Sequence, residues 1–363
     1  MEKNQIFIKT GTKYKKMTRE LLEESNLAEL IGDKNKMVGI KPNLVSPSDP
    51  ANGGTTHPEI VAGILEYLKE NGFKNSMILE GSWVGDRTAD AFEVCGYRQL
   101  CEDYNVEFYD TQKDKSYTKD CCGLELKICE SVKKVDFLIN VPVMKGHCQT
   151  KITCALKNMK GLIPNTEKRH FHSMGLHKPI AHLNAGIHQD FIVVDNICGD
   201  LDFEDGGNPV VMNRIWTAMD PVLVDAYVCQ QLHYKVSDVP YVKLAGELGV
   251  GCSDITKADI RVLGDDVQQN IPERRKVVEV AGAVEEVDSC SACYGYLIPA
   301  LDMLKQEGLL EKLHEKICIG QGYRGKTGEL GVGHCTRNFK HHAEGCPPTE
   351  NQIYEFLKEY ISK

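Results

Sequence analysis

The chain has 363 residues, 42% of them hydrophobic, enough for one large α/β unit or two domains with a sizeable core. Its 43 Lys and Arg stand against 52 Asp and Glu, a formal charge of -9, which argues against a bulk electrostatic footprint for nucleic acid but leaves local basic clusters able to face an acidic ligand. The start MEKNQIFIKTGTKYKKMTRELLEE lacks a signal-peptide profile and no apolar run approaches the ~18 residues of a membrane span, so the expectation is a cytoplasmic, soluble protein without membrane contact.

The first apolar, β-branched run, MVGIKPNLV (37–45), reads as a buried strand that sets Lys41, Pro42 and Asn43 at its end. GGTTHPEIV then brings Thr55, Thr56 and His57 to a helix N-terminus, where free N–H groups and the dipole favour an anion. The helix itself, HPEIVAGILEYLKENG, has apolar residues at Ile60, Val61, Ile64, Leu65 and Leu68, with Pro58 near its start and Gly72 as its stop.

NSMILEG (75–81) and VDFLINVPVM (135–144) read as the next strands. Directly after the second come Lys145, His147, Thr150, Lys151, Lys157, Asn158, Lys160, Lys168 and Arg169. So many cations behind a buried strand suit a phosphate, a carboxylate or an acidic peptide segment, and crowding would depress Lys157 or Lys160. The run His170, His172, His177, His182 and His188 matches neither HExxH nor a finger spacing; His147 and His170 stand out instead as proton donors.

DFIVVDNICG (190–199), a further strand, leads into Asp195, Asp200, Asp202, Glu204 and Asp205, and AMDPVLVDAY adds Asp220 and Asp225. These carboxylates suit Mg2+ beside a phosphate or a base, though turns and helix caps account for several; Asp195, at the strand end, is the principal candidate. Alternating strands and helices predict a largely parallel or mixed sheet covered by helices. In open sheets of that kind ligands sit beyond the carboxyl ends of the strands.

LGDDVQQNIPERRKVVEVAG (263–282) turns polar and marks a boundary between a domain over 1–270 and a smaller α/β module over 271–363. Fifteen cysteines are many for a chain too long to be a disulfide-stapled miniature, which makes metal ligation or redox chemistry their leading reason. In the module SCSAC supplies Cys290 and Cys293, GHC supplies Cys335, and GCPP supplies Cys346. Two residues between the first pair let both thiolates face one centre, and a closing Cys-Pro is frequent at the last ligand of an iron-sulfur cluster. The reading is one [4Fe-4S] cluster on these four cysteines, with Zn2+ on the same thiolates as the alternative.

Gly331, Gly333 and Gly345 allow close backbone approach to such a centre, and His334, Lys340, His341 and His342 could offset its charge. Cys318, inside the strand KICIGQG (316–322), reads as core, and Cys121, Cys122, Cys148 and Cys154 form a set of nonspecific spacing. The order CxxC, helix LIPALDMLKQEGLLEKL, strand, ligand loop and helix TENQIYEFLKEYI resembles the proximal-cluster segments of hydrogenase small subunits, which close on Gly-Cys-Pro-Pro.

The motifs IKPNLV, TTHPEIV, INVPVMKGH, ALKNMKGLIP, VVDNI and DPVLVDAY, in that order over about residues 37–255, resemble the DUF362 family. The resemblance implies an association with iron-sulfur clusters. Many members join this core to a segment with two CxxCxxC runs, whereas the sparser set here favours a single cluster.

Together these features predict a pocket around Lys41, Asn43, Thr56, His57, Lys145, His147, Lys157, Asn158 and Lys160, with Lys157, His147, His170 and Asp195 as catalytic candidates. The function expected is electron transfer or redox chemistry on a small anionic substrate. One alternative is a cluster carrier or maturation factor docking an acidic partner such as a ferredoxin. The other is a non-redox enzyme with structural zinc, although neither GxxxxGK[ST] nor GxGxxG occurs.

Overall fold

The computed structural model describes residues 1–147, 149–202, 204, 209–264, 279–289 and 291–362. It divides into two compact units, Met1–Ile271 and Pro272–Lys363. The strands of the first are β1 Gln5–Thr10, β2 Met37–Pro42, β3 Asn75–Glu80, β4 Glu107–Asp110, β5 Ser116–Asp120, β6 Glu125–Cys129, β7 Phe137–Val141, β8 Lys145–His147, β9 Lys151–Thr153, β10 Phe191–Asp200, β11 Pro209–Ala218 and β12 Asp259–Val262.

Eight of them make one mixed sheet in the order β12-β1-β11-β10-β7-β2-β3-β4. The pairs from β10 through β4 are parallel, whereas β11 runs antiparallel to both β10 and β1. Both faces are covered, which is why these strands read as unbroken apolar runs rather than alternations. Val38, Ile40, Ile78, Phe137, Ile139, Phe191 and Val193 feed one core, and Met77, Leu79, Leu138, Ile192 and Val194 feed the other.

The chain goes from β2 outward to β3 and β4 on one side, then returns to place β7 on the other side of β2. The carboxyl ends of β2 and β7 therefore flank a topological switch point, the place where crossovers leave in opposite directions and open a crevice. Lys41 pairs with Asn140 and Pro42 with Val141 at that edge of the register. The predicted helix after the Thr-Thr-His segment runs Pro58–Glu70, with Pro58 at its first turn.

The second unit has a small parallel sheet, β13 Val284–Glu286, β14 Ile317–Ile319, β15 Leu330–Val332 and β16 His341–Ala343, in chain order. Helix Ser291–Gln306 buries Leu297, Ile298, Leu301 and Leu304, and helix Glu350–Ile361 buries Ile353, Tyr354 and Leu357. The first of these helices starts earlier than the predicted LIPALDMLKQEGLLEKL and includes Cys293. Strands β15 and β16 are too short, three residues each, to register as periodic runs.

Candidate functional site

At the switch point a lysine is driven into the core. Lys41 and its neighbour Glu80, from the end of β3, form an ion pair in which neither side chain is more than 4% exposed. Lys41 Nζ also donates to Pro42 O at 2.8 Å and Asn158 Oδ1 at 3.2 Å, and Glu80 Oε1 accepts from Gly81 N at 2.8 Å. Burial pushes the lysine down and the carboxyl up, and each partner opposes that shift in the other. Gly161 lies directly over the pair, and a Cβ there would collide with Glu80 Oε1 and Lys41.

The next layer comes from the crossover after β7. The buried carboxylate of Asp225, on helix Pro221–Gln231, accepts from Ala155 N at 2.7 Å and Leu156 N at 3.2 Å, anchoring the short helix Ala155–Asn158. That helix presents Lys157 and Asn158, and the single-turn segment Met159–Leu162 presents Lys160. Asn158 also donates to Asn140 Oδ1 at 2.7 Å, tying this turn to β7.

Glu204 gathers Lys145, His147 and Lys157. Its carboxylate lies 2.6 Å from Lys157 Nζ and 2.9 Å from His147 Nε2, and its carbonyl accepts from Lys145 Nζ at 2.6 Å. Lys145 also donates to Gly54 O at 2.6 Å. Burial alone would raise the Glu204 carboxyl, but His147 and Lys157 hold it well below the usual carboxylate range. His147 Nδ1 accepts from Gln149 N and Thr150 N, both at 3.0 Å, which leaves Nε2 to carry the proton of the neutral ring. Burial pushes this imidazole down to about 4, which leaves it neutral at ordinary pH.

Lys160 is half-buried. Burial, with Lys157 next, pushes its ammonium down to about 7. Lys168 descends to about 8, chiefly through burial, while donating to Gly81 O at 2.8 Å and Ser82 O at 2.7 Å. His172 falls to about 3 through burial and then the charge of Lys160.

Beside this group stands a second dyad. Asp195 Oδ2 accepts from His57 N and lies 2.8 Å from His57 Nδ1. Burial would lower the imidazole, but Asp195 outweighs it and carries His57 up to about 10. His57 Nε2 is 4.0 Å from Cys198 Sγ. The two groups adjoin through the backbone, because Met144 N donates to Asp195 O at 2.9 Å.

Lys41, His57, Lys145, His147, Lys157, Asn158 and Lys160 thus gather at one end of the sheet. Thr56 and Asn43 are engaged internally: Thr56 Oγ1 donates to Val141 O and accepts from Asn43 N, and Asn43 Oδ1 accepts from Val45 N. His170 is not part of the group; it is exposed, 3.2 Å from Glu167 Oε1, and lines a groove of about 310 Å³ with Thr118, Leu126 and Thr166. The other histidines disperse: His177 stacks on Tyr241, His182 bonds Cys121 O, and His188 faces Asp190. Asp220 caps its helix through Val222 N and Leu223 N, and Asp205 lies outside the described residues.

Glu80 has no counterpart among the sequence candidates, and neither does Gly161. The signal for the first is one acidic residue closing an otherwise apolar strand, MILEG, where a solvated strand end looks the same.

In the second unit Cys335 and Cys346 follow the carboxyl ends of the adjacent parallel strands β15 and β16. His334 N donates to Gly345 O at 2.8 Å, and Gly333 N to Ala343 O at 2.8 Å, so the two loops run side by side. A Cβ on Gly333, at φ +84°, would stand 3.6 Å from Cys293 Sγ. Cys290 and Cys148 lie outside the described residues. The donors present, Cys335 and Cys346 on glycine-built loops and Cys293 in the first turn of a helix, suit a thiolate-bound centre. Among the described residues no three His, Cys, Asp or Glu side chains close on a single metal ion. Lys340 and His341 face Glu329, and His334 faces Arg337.

A family model described as a domain of unknown function (DUF362) matches residues 38–230. The thylakoid-associated protein sll1697 of Synechocystis sp. is 27% identical over 138 residues, 37% of this chain and 41% of that protein, so the match spans less than half of the relative's length. The lactate racemase apoprotein of Thermoanaerobacterium thermosaccharolyticum superposes with a TM-score of 0.40 at 14% identity, over 64% of this chain and 57% of that one. Among the described residues no helix is long and apolar enough to cross a membrane.

Proposed function

The chain belongs to the DUF362 family, and from that premise we propose that it is an iron-sulfur enzyme that binds a small anionic substrate at the switch point of its large sheet. One observation carries the substrate reading. Lys41, Lys145, Lys157, Lys160 and Lys168 gather behind the ends of β2, β3 and β7, with Glu80 and Glu204 set among them. Lys41 is matched by Glu80 and Lys157 by Glu204, while the amine of Lys160 has no such partner among the described residues, and its charge favours an anion in a region of low dielectric.

In this reading Lys145 and Lys157 set the field, Glu204 and His147 hold their orientation, and Asn158 fixes the turn that carries Lys160. A [4Fe-4S] cluster held by Cys293, Cys335 and Cys346, with Cys290 as the fourth ligand, would supply one-electron chemistry. Zn2+ on the same thiolates is the alternative, and an acidic redox partner such as a ferredoxin would exchange electrons with the cluster.

Calorimetric titration with oxalate and with phosphate tests the anion site. Saturable binding that weakens roughly tenfold or more in Lys157→Gln and fades with rising salt is the expected result. Binding equal in wild type and Lys157→Gln would remove the site from this crevice.

A further inference from the structure

Five lysines stand at the switch point, and four are tethered. Lys41 binds Glu80, Pro42 O and Asn158; Lys145 binds Gly54 O and Glu204 O; Lys157 binds Glu204 and Thr153 Oγ1; Lys168 binds Gly81 O and Ser82 O. Lys160 alone has no hydrogen bond or ion pair from its amine among the described residues, and it is only half-buried. An unpartnered amine beside the tethered Lys157 and Lys168 serves the fold poorly, since both repel its charge and only Glu204 opposes them.

We propose that Lys160 is a nucleophile that forms an imine with a small 2-oxo acid, whose carboxylate is drawn by the surrounding lysines. This rests on the anion-site reading above and names its substrate class. The Nζ lone pair attacks the carbonyl carbon, forming a C–N bond. The carbonyl oxygen takes two protons and leaves as water, so that amine plus oxo acid give imine plus water. No oxidant or reductant enters this step.

The local charges suit it. Burial, then Lys157 and Lys168 against the opposing charge of Glu204, pushes Lys160 down to about 7, so that it stays half unprotonated at neutral pH. An ordinary lysine, near 10.4, offers about a thousandfold less neutral amine there. His147, neutral and 2.9 Å from Glu204, and His172, held neutral by burial and then by Lys160 and Lys157, do not compete as cations. In this proposal Lys157, three residues back, holds the substrate carboxylate.

The test uses the full chain with pyruvate and cyanoborohydride, which reduces an imine to a stable N-carboxyethyl amine, followed by peptide mass spectrometry. One carboxyethyl group per chain on Lys160, saturable in pyruvate, with a rate rising through a midpoint near pH 7 and label absent from Lys160→Arg, is the expected result. Label spread over exposed lysines, or a rate that rises only above about pH 9, overturns the proposal. Calorimetry with oxalate, which has no ketone, separates the two readings. Oxalate binding without selective label defeats the imine alone, and absence of both defeats the anion site with it. Lys160→Gln, run alongside, must also lose the label, so a folding defect peculiar to arginine cannot imitate the result.

Discussion

At the scale of single residues the site is a set of buried charges whose partners decide their state. His57 is the clearest. Its folded pKa, about 10, lies above the value of an unfolded histidine, so the His57–Asp195 pair contributes stability that is full below about 6.5 and lost as pH rises towards 10. NMR titration should find His57 an imidazolium through neutral pH in wild type. In Asp195→Asn, with burial then unopposed, its pKa should fall below 6.5; a value near 10 persisting there would contradict the assignment. His147 has the opposite sign: held neutral down to about 4, it contributes stability above about 6.5 that is lost as pH falls towards 4. Lys41 and Glu80 give a third case. Removing one partner of a buried pair leaves an uncompensated charge, so Glu80→Ala should cost about 3–5 kcal/mol. The apolar double replacement Lys41→Met with Glu80→Leu should cost less, and denaturant midpoints of the three chains check the order.

At the scale of elements, the turn Ala155–Leu162 carries Lys157, Asn158, Lys160 and Gly161, and Asp225 anchors its start. Gly161→Ala should lower stability by about 1–3 kcal/mol through overpacking and weaken oxalate binding by displacing Lys41; an unchanged denaturant midpoint would mean the turn yields at no cost. Much of this level was legible. Strand ends 42, 80, 141 and 200 fall where Pro, Gly or Asn close apolar runs, and Lys41, Lys145, Lys157 and Lys160 stand out as cations behind buried strands. What hid were long-range pairings. Glu80 looks like a solvated strand end until β3 is laid beside β2, and His170 looks like His147 because sequence spacing does not show which side of a helix faces the crevice. Strand β11, PVVMNRIWTA, mixes polar with apolar residues and so lacks the unbroken run that marks β10.

At the scale of the molecule, two units divide the chemistry. The switch-point cluster lies within Met1–Ile271, and the cysteines Cys293, Cys335 and Cys346 lie within Pro272–Lys363. The proposed function needs both, an anion site in one and a thiolate-bound cluster in the other. Anaerobic purification with iron, acid-labile sulfide, zinc and visible absorption measured for wild type and Cys346→Ser is the most direct test. About four irons and four sulfides per chain in wild type, bleached by dithionite and lost in the variant, is the result predicted. One zinc per chain with no sulfide would contradict the iron-sulfur reading and leave the lysine crevice as the sole seat of the chemistry.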